Sequence, residues 1–128
     1  MTHRIPELGV RIVAMPSDMN SHGAIFGGFI LCQLDLCGTV IARKYQNDSG
    51  KEDILTVKVT DVLFKKPVYV GDILECWGTV TELGNTSLTI EIQANAIRRS
   101  NQSLVENVAC GTFKFVNTIK GKPTPIKK

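Results

Sequence analysis

The chain has 128 residues, 43% hydrophobic and 6% aromatic, which suits one domain with a core of its own. Its formal charge of +3 is local: Lys120, Lys122, Lys127 and Lys128 lie within 118–128 without an acid, leaving eleven of the fifteen Lys and Arg residues against twelve acids elsewhere. A near-neutral body with few aromatics excludes the basic face that a nucleic-acid binder needs.

The opening MTHRIPELGV holds no apolar signal run, so the cytoplasm is the expected compartment. Arg11 to Met15 reads as a short strand stopped by Pro16 and Ser17. Ser17 or Asp18 then serves as a turn or cap residue, its side-chain oxygen accepting from a nearby backbone N–H. The glycine pair Gly27 and Gly28 opens a helix in which Phe29, Ile30, Leu31, Leu34, Leu36, Val40 and Ile41 are apolar on nearly every side, a pattern that has to be buried. Arg43 and Lys44 fall in its last turn, where positive charge suits the helix dipole.

One carboxylate, Asp35, sits in the middle of this helix. Burying an unpaired carboxylate costs several kcal/mol or forces protonation, so its presence points to chemistry. At 3.6 residues per turn it shares a face with Gly28, Leu31, Gly38 and Ala42, mostly small residues that leave room for another chain or a ligand. Gly27 and Gly28 offer N–H groups without helical partners, backed by the positive end of the dipole, and such a terminus can hold an anion or a developing oxyanion. Residues 23–42 have the length of a membrane span, with Gly23 and Gly27 in a G-x-x-x-G. Asp35 would cost roughly 2.5–3.5 kcal/mol there, and the strands that follow would lose their core, so no membrane insertion is expected.

Gln46 to Asp53 is a polar loop, and from Ile54 the period changes to two. Leu55, Val57, Val59 and Leu63 alternate with Thr56, Lys58 and Thr60, as in a strand half covered by the helix, until Lys65, Lys66 and Pro67 end it. Ile73–Leu83 and Thr86–Ile97 read as strands joined at Gly84 and Asn85, and after a turn at Arg99–Gln102 the last strand runs from Leu104 to Val116. Residues 118–128 read as a basic Gly, Pro and Lys-rich tail behind a single domain of residues 1–117. This pattern gives an α+β fold in which an antiparallel sheet curls around one helix. Cys32, Cys37, Cys76 and Cys110 show neither C-x-x-C nor zinc spacing and read as buried free thiols, and no His, Cys or carboxylate cluster implies a metal.

The run MPSDMNSHGAIFGG, followed by LD, carries Pro16, Asp18, Asn20, Gly23, Phe26, Gly27, Gly28 and Asp35. This pattern resembles the short acyl-CoA thioesterases of the hotdog fold, which include small bacterial acyl-CoA hydrolases and the tandem-domain brain acyl-CoA hydrolase. The resemblance implies an acyl-CoA thioesterase without a cofactor, CoA being part of the substrate. It implies Asp35 as the catalytic carboxylate, Asn20 as its helper, and the Gly27 and Gly28 amides as the groups that polarise the thioester carbonyl. Gly23, Phe26, Phe29 and Phe64 fall on the substrate side. Phe29 stands where the family often has Trp, and Cys37 where it has Gly or Ala, which bears on chain-length preference. The resemblance further implies a homodimer in which Asn20 of one subunit meets Asp35 of the other, and a hexamer of three such dimers.

For the CoA phosphates, Arg98 and Arg99 are favoured over Lys65, Lys66 and the tail, because guanidinium groups bind phosphate in a planar, two-point fashion. His22 reads as an exposed turn residue. Two alternatives stand beside hydrolysis: an acyl-CoA-binding hotdog protein without turnover, and a hydratase or dehydratase of the same fold with His22 as its acid-base group.

Overall fold

The computed structural model describes residues 5–128. Strand β1 (Glu7–Val13) leads through a 3-10 turn at Pro16–Asp18 to helix α1 (Gly27–Ala42), which ends in a second 3-10 turn at Arg43–Tyr45. Strands β2 (Asp53–Phe64), β3 (Ile73–Leu83), β4 (Ser87–Ile97), β5 (Val105–Ile119) and β6 (Lys122–Pro123) follow. The sheet order is β1-β3-β4-β5-β2, every pair antiparallel, with β6 folded back on the end of β5. Helix α1 touches all five long strands, so its inner face becomes the core of the domain, the hotdog arrangement that the sequence motif implies.

Leu34, Cys37 and Ile41 of α1 pack with Leu74, Cys76, Ile90, Ile92, Phe113 and Phe115 of the sheet, all buried. Two glycines make this fit possible. A Cβ on Gly38 would stand 2.4 Å from Cζ of Phe115 and 2.9 Å from Cδ1 of Ile92. A Cβ on Gly9 would stand 2.6 Å from Cys37 Sγ, and the β1–β3 register shifts between Leu8 and Val10 around that contact. Gly38 therefore makes room for Phe115, and the small helix face expected to admit a ligand is occupied there by the core.

The helix is covered on less than its full circumference. Gly28, Cys32, Leu36 and Val40, one stripe at four-residue spacing, are exposed, with Leu36 and Val40 near half exposure. Beside the stripe runs β2, an edge strand paired, among the described residues, only with β5. The expected half-covered alternation fails here: Leu55, Val57, Val59 and Leu63 are all exposed. Register shifts between Thr56 and Lys58 and between Thr60 and Leu63, with Asp61 at φ 55°, break the two-residue period. As a result Thr56 stands opposite Phe115 and Val59 opposite Phe113, on the helix side, while Leu55 and Leu63 oppose Val116 and Cys110 on the outer side.

Four further differences from the sequence reading have local causes. β1 begins at Glu7 and ends at Val13, because Glu7 and Leu8 already pair with β3 and Pro16 starts a 3-10 turn. Arg43 and Lys44 lie beyond the end of α1, in that second 3-10 turn. The β3–β4 turn is centred one residue later than expected, with the Gly84 N–H donating to Ser87 O. The boundary set between residue 117 and a tail falls inside β5. Lys120 and Gly121, both at positive φ, form a two-residue turn that sends β6 back, and Ile126 enters the core. Buried Asn117 fastens this return: its Nδ2 donates to Glu52 and to Pro125 O, its Oδ1 accepts from Gln46, and its backbone O accepts from Thr124 N.

Gly38→Val should lower stability by about 1–3 kcal/mol, the usual range for overpacking. Urea unfolding checks this, and an unchanged midpoint would show that Phe115 can swing aside.

Candidate active site

The segment between β1 and α1 is built on Asn20. Its Oδ1 accepts from the backbone N–H groups of His22 (2.8 Å) and Ala24 (3.2 Å), and its own N–H donates to Ala24 O (2.7 Å). These two donors fix the amide orientation, so Nδ2 points out of the turn. Gly23, at φ 86°, supplies the left-handed backbone that closes it. The side chains of Ser17 and Asp18 make no cap bond: Asn20 does the work assigned to them, and Asp18 contributes its backbone O, which accepts from Phe26 N.

Phe26 is the N-cap of α1 and has no side-chain cap bond to give. The N–H groups of Gly27 and Gly28 have no acceptor among the described residues. The Phe64 ring lies 3.4 Å from where a Gly27 Cβ would be, and Phe26 meets half-buried Phe29 edge to face, at 6.1 Å between centroids. An uncapped helix start with glycine amides and an aromatic rim is therefore presented at the surface of the chain.

Two turns along the helix, half-buried Asp35 accepts a hydrogen bond at Oδ1 from the Thr56 hydroxyl, at 2.6 Å. Among the described residues no cation is paired with it. Thr56 thus fixes one carboxylate oxygen, and the other has no hydrogen-bond partner among the described residues. Asn20 and Asp35 make no hydrogen bond within one chain.

Arg98 has a different place. It is 7% exposed, and its Nη1 donates to Asp72 Oδ2 (2.8 Å) and Pro67 O (2.9 Å) while Nε donates to Glu106 (3.1 Å). Lys66 also pairs with Glu106, and the N–H groups of Tyr69 and Arg99 donate to Asp72. Burial works to raise the Asp72 carboxyl, but those N–H groups and the Arg98 guanidinium outweigh it and hold Asp72 below the ordinary range. Hydrogen bonds from Lys66 and Arg98 hold Glu106 low as well. Arg98 is a scaffold residue in this chain, whereas Arg99 is exposed and its guanidinium meets no acid among the described residues.

Burial pushes the Cys37 thiol up to about 11 and that of Cys76 to about 12, so both stay protonated and inert at neutral pH. The expectation that all four thiols are buried fails for Cys32, which is exposed on the open stripe, and for half-buried Cys110.

The model of the thioesterase superfamily matches residues 22–99, more than half of the chain. The chain belongs to the thioesterase superfamily. It is 36% identical over 127 residues to the acyl-CoA thioester hydrolase YciA of Escherichia coli strain K12, covering 95% of this chain and 93% of that protein. A hexameric thioesterase of Yersinia pestis superposes with a TM-score of 0.86 at 32% identity, over 95% of this chain and 96% of its own. A hexameric hotdog fold thioesterase of Campylobacter jejuni does so with a TM-score of 0.84 at 37% identity, over 94% and 90%.

In this superfamily member Asp35, Gly27, Gly28, Phe26, Phe29 and Phe64 lie on one side of the chain, around α1 and β2. Thr56 escaped the sequence reading because strict alternation turns it to the outer face. The signal that could have found it is Asp35 itself, since a half-buried carboxylate calls for a donor on the neighbouring strand.

Asp72→Asn should destabilise the fold by about 3–5 kcal/mol, because it leaves Arg98 buried without its charge partner. With its folded pKa depressed, Asp72 stabilises the fold above its unfolded pKa, about 3.9, and that contribution is lost as pH falls through the lower folded value. Thermal denaturation at fixed protein concentration should show the wild type losing stability below about pH 4 more steeply than the variant.

Proposed function

We propose that this chain hydrolyses acyl-CoA thioesters to the free acid and CoA, with Asp35 as the catalytic carboxylate. The observation that carries this reading is the pairing of an uncapped glycine helix start with a carboxylate that is held by Thr56 and has no paired cation among the described residues. The curated relatives support the substrate class. The thioester carbonyl accepts hydrogen bonds from the Gly27 and Gly28 amides, which face the oxygen as it gains negative charge and contribute about 10² to 10³ in rate. Asp35 uses its free oxygen as the base that takes a proton from water, or as the nucleophile that attacks the carbonyl carbon. The CoA thiolate leaves readily, so no second acid is needed. Gly23 keeps the Asn20 turn in shape, and Phe26, Phe29 and Phe64 form an apolar rim for the acyl chain.

Asn20 Nδ2 serves the site from a second copy of the chain. The open stripe of Cys32, Leu36 and Val40 beside the unpaired edge of β2 is apolar and continuous, which suits a dimer that extends the sheet and covers the helix. Three such dimers make the hexamer that the solved relatives form, and the cytoplasm suits the free thiols. Exposed His22 makes no side-chain hydrogen bond or ion pair among the described residues, which gives the hydratase reading nothing to build on.

Asp35→Asn should leave a folded protein of unchanged assembly with kcat lower by about 10² to 10⁴ in a thiol-release assay; full turnover would refute the assignment. Thr56→Val should lower kcat about tenfold, the worth of one hydrogen bond to a charged group, and Thr56→Ser should restore most of it. Subunit exchange between inactive Asn20→Ala and Asp35→Ala proteins should recover part of the activity, and heteromers verified by mass that remain inactive would exclude a shared site.

A further inference from the structure

A cavity of about 820 Å³ lies on the face of the sheet turned away from α1 and shares no residue with the candidate active site. Its floor alternates with the core. Trp77 follows buried Cys76, Gln93 stands between buried Ile92 and Ala94, and Thr112 precedes buried Phe113, so the three side chains turn outward. The register puts Trp77, Gln93, Cys110 and Leu63 in one row across β3, β4, β5 and β2, with Glu91 and Thr112 in the row beside it. Asp61, in the irregular stretch of β2 at φ 55°, borders the cavity on that side. The result is a groove that crosses the strands.

The groups along the groove are of three kinds. Half-buried Trp77 gives a flat apolar plate. Glu91 and Asp61 are acceptors: neither is ion-paired among the described residues, and no Lys or Arg lines the groove. Gln93 and Asn95 are donors. Asn107 Nδ2 donates to Asn95 Oδ1 at 3.1 Å and reaches Gln93 Oε1 at 3.4 Å, which sets both amide oxygens toward Asn107. The NH2 groups of Gln93 and Asn95 then have no acceptor among the described residues and are the ends left for a ligand.

This mixture selects by elimination. A phosphate or carboxylate offers only acceptors, and Glu91 and Asp61 repel it. An ammonium group offers only donors, which leaves the two amide NH2 groups unused. A hydroxyl donates and accepts at once, so neighbouring hydroxyls of a saturated ring satisfy carboxylate and amide together while the C–H face of the ring covers the indole. We propose that this groove is a second binding site, for an uncharged saccharide, with Trp77 as the plate and Glu91, Gln93 and Asn95 as the hydroxyl partners. The dimer inferred above covers the α1 stripe and the edge of β2, whereas the groove lies on the opposite face of the sheet, so each dimer carries two.

Trp77 is the only tryptophan in the chain, which makes the test direct. Indole fluorescence of the assembled protein is titrated with maltose, cellobiose and lactose, with glucose 6-phosphate as the anionic probe and putrescine as the cationic one. At least one disaccharide should give a saturable shift, and neither charged probe should match its affinity. Glu91→Ala should weaken that binding about tenfold and Gln93→Ala about fivefold. Both side chains are exposed, so both variants should fold, which thermal denaturation checks. Trp77→Ala, followed by calorimetry, should lose the binding that Trp77→Phe largely keeps. Absence of a saturable shift with all three disaccharides would overturn the proposal. So would tighter binding of putrescine, or a shift that survives both the Glu91 and the Gln93 substitution.

Discussion

The structure depends on one constraint: a helix apolar on almost every side has to be covered while its single carboxylate stays within reach. The sheet satisfies most of this by curling, so that Leu34, Cys37 and Ile41 of α1 meet β3, β4 and β5. Close approach matters more here than bulk, since both Gly9 and Gly38 are places where a methyl group would collide with the core. Asp35 is set between the buried side and the open stripe, and Thr56 satisfies one of its oxygens from the neighbouring strand.

Elements whose signals are local were legible in the sequence. Gly27 starts α1 as read, β3 runs from Ile73 to Leu83 as read, and the antiparallel order of β3, β4 and β5 follows from the short turns between them. What escaped the reading depends on long-range geometry. A period of two carries no mark of the bulges around Thr56 and Asp61, so Thr56 lies inward and Leu55 and Leu63 outward against the reading, while Val59 keeps its inner place. The basic composition of 118–128 hid Ile126, whose burial follows from the turn at Lys120 and Gly121 and from Asn117. The candidate site divides in the same way. The glycine pair, Asn20 and Asp35 stand out in the sequence, while Arg98 and Arg99, adjacent and chemically alike, are separated only by the fold, which buries the first among acids and leaves the second exposed.

The ion network at the β4–β5 turn shows how burial converts charge into position. Arg98 and Asp72 are too well enclosed to meet a solvent-borne ligand, yet together they fix Pro67 and Tyr69 on the β2–β3 connection to Arg99 on the β4–β5 turn. A buried pair of this kind contributes little net stability over an apolar pair of the same shape, and its value lies in the geometry it imposes.

The pairing of β2 with β5 has a consequence for how the molecule is made. During synthesis β2 emerges long before its strand partner, since Asp53–Phe64 bonds to Val105–Ile119 and to no other strand among the described residues. Until then the nascent chain carries an apolar helix and an edge strand with nothing to lie against. The last covering contacts, Ile126 N to Asn85 O and Lys127 N to Tyr45 O, come later still. Folding therefore waits on distant closures, which are slow, and the interval exposes the same apolar stripe that marks the surface of the finished chain. For this fold the period of greatest aggregation risk lies on the ribosome, before β5 has emerged.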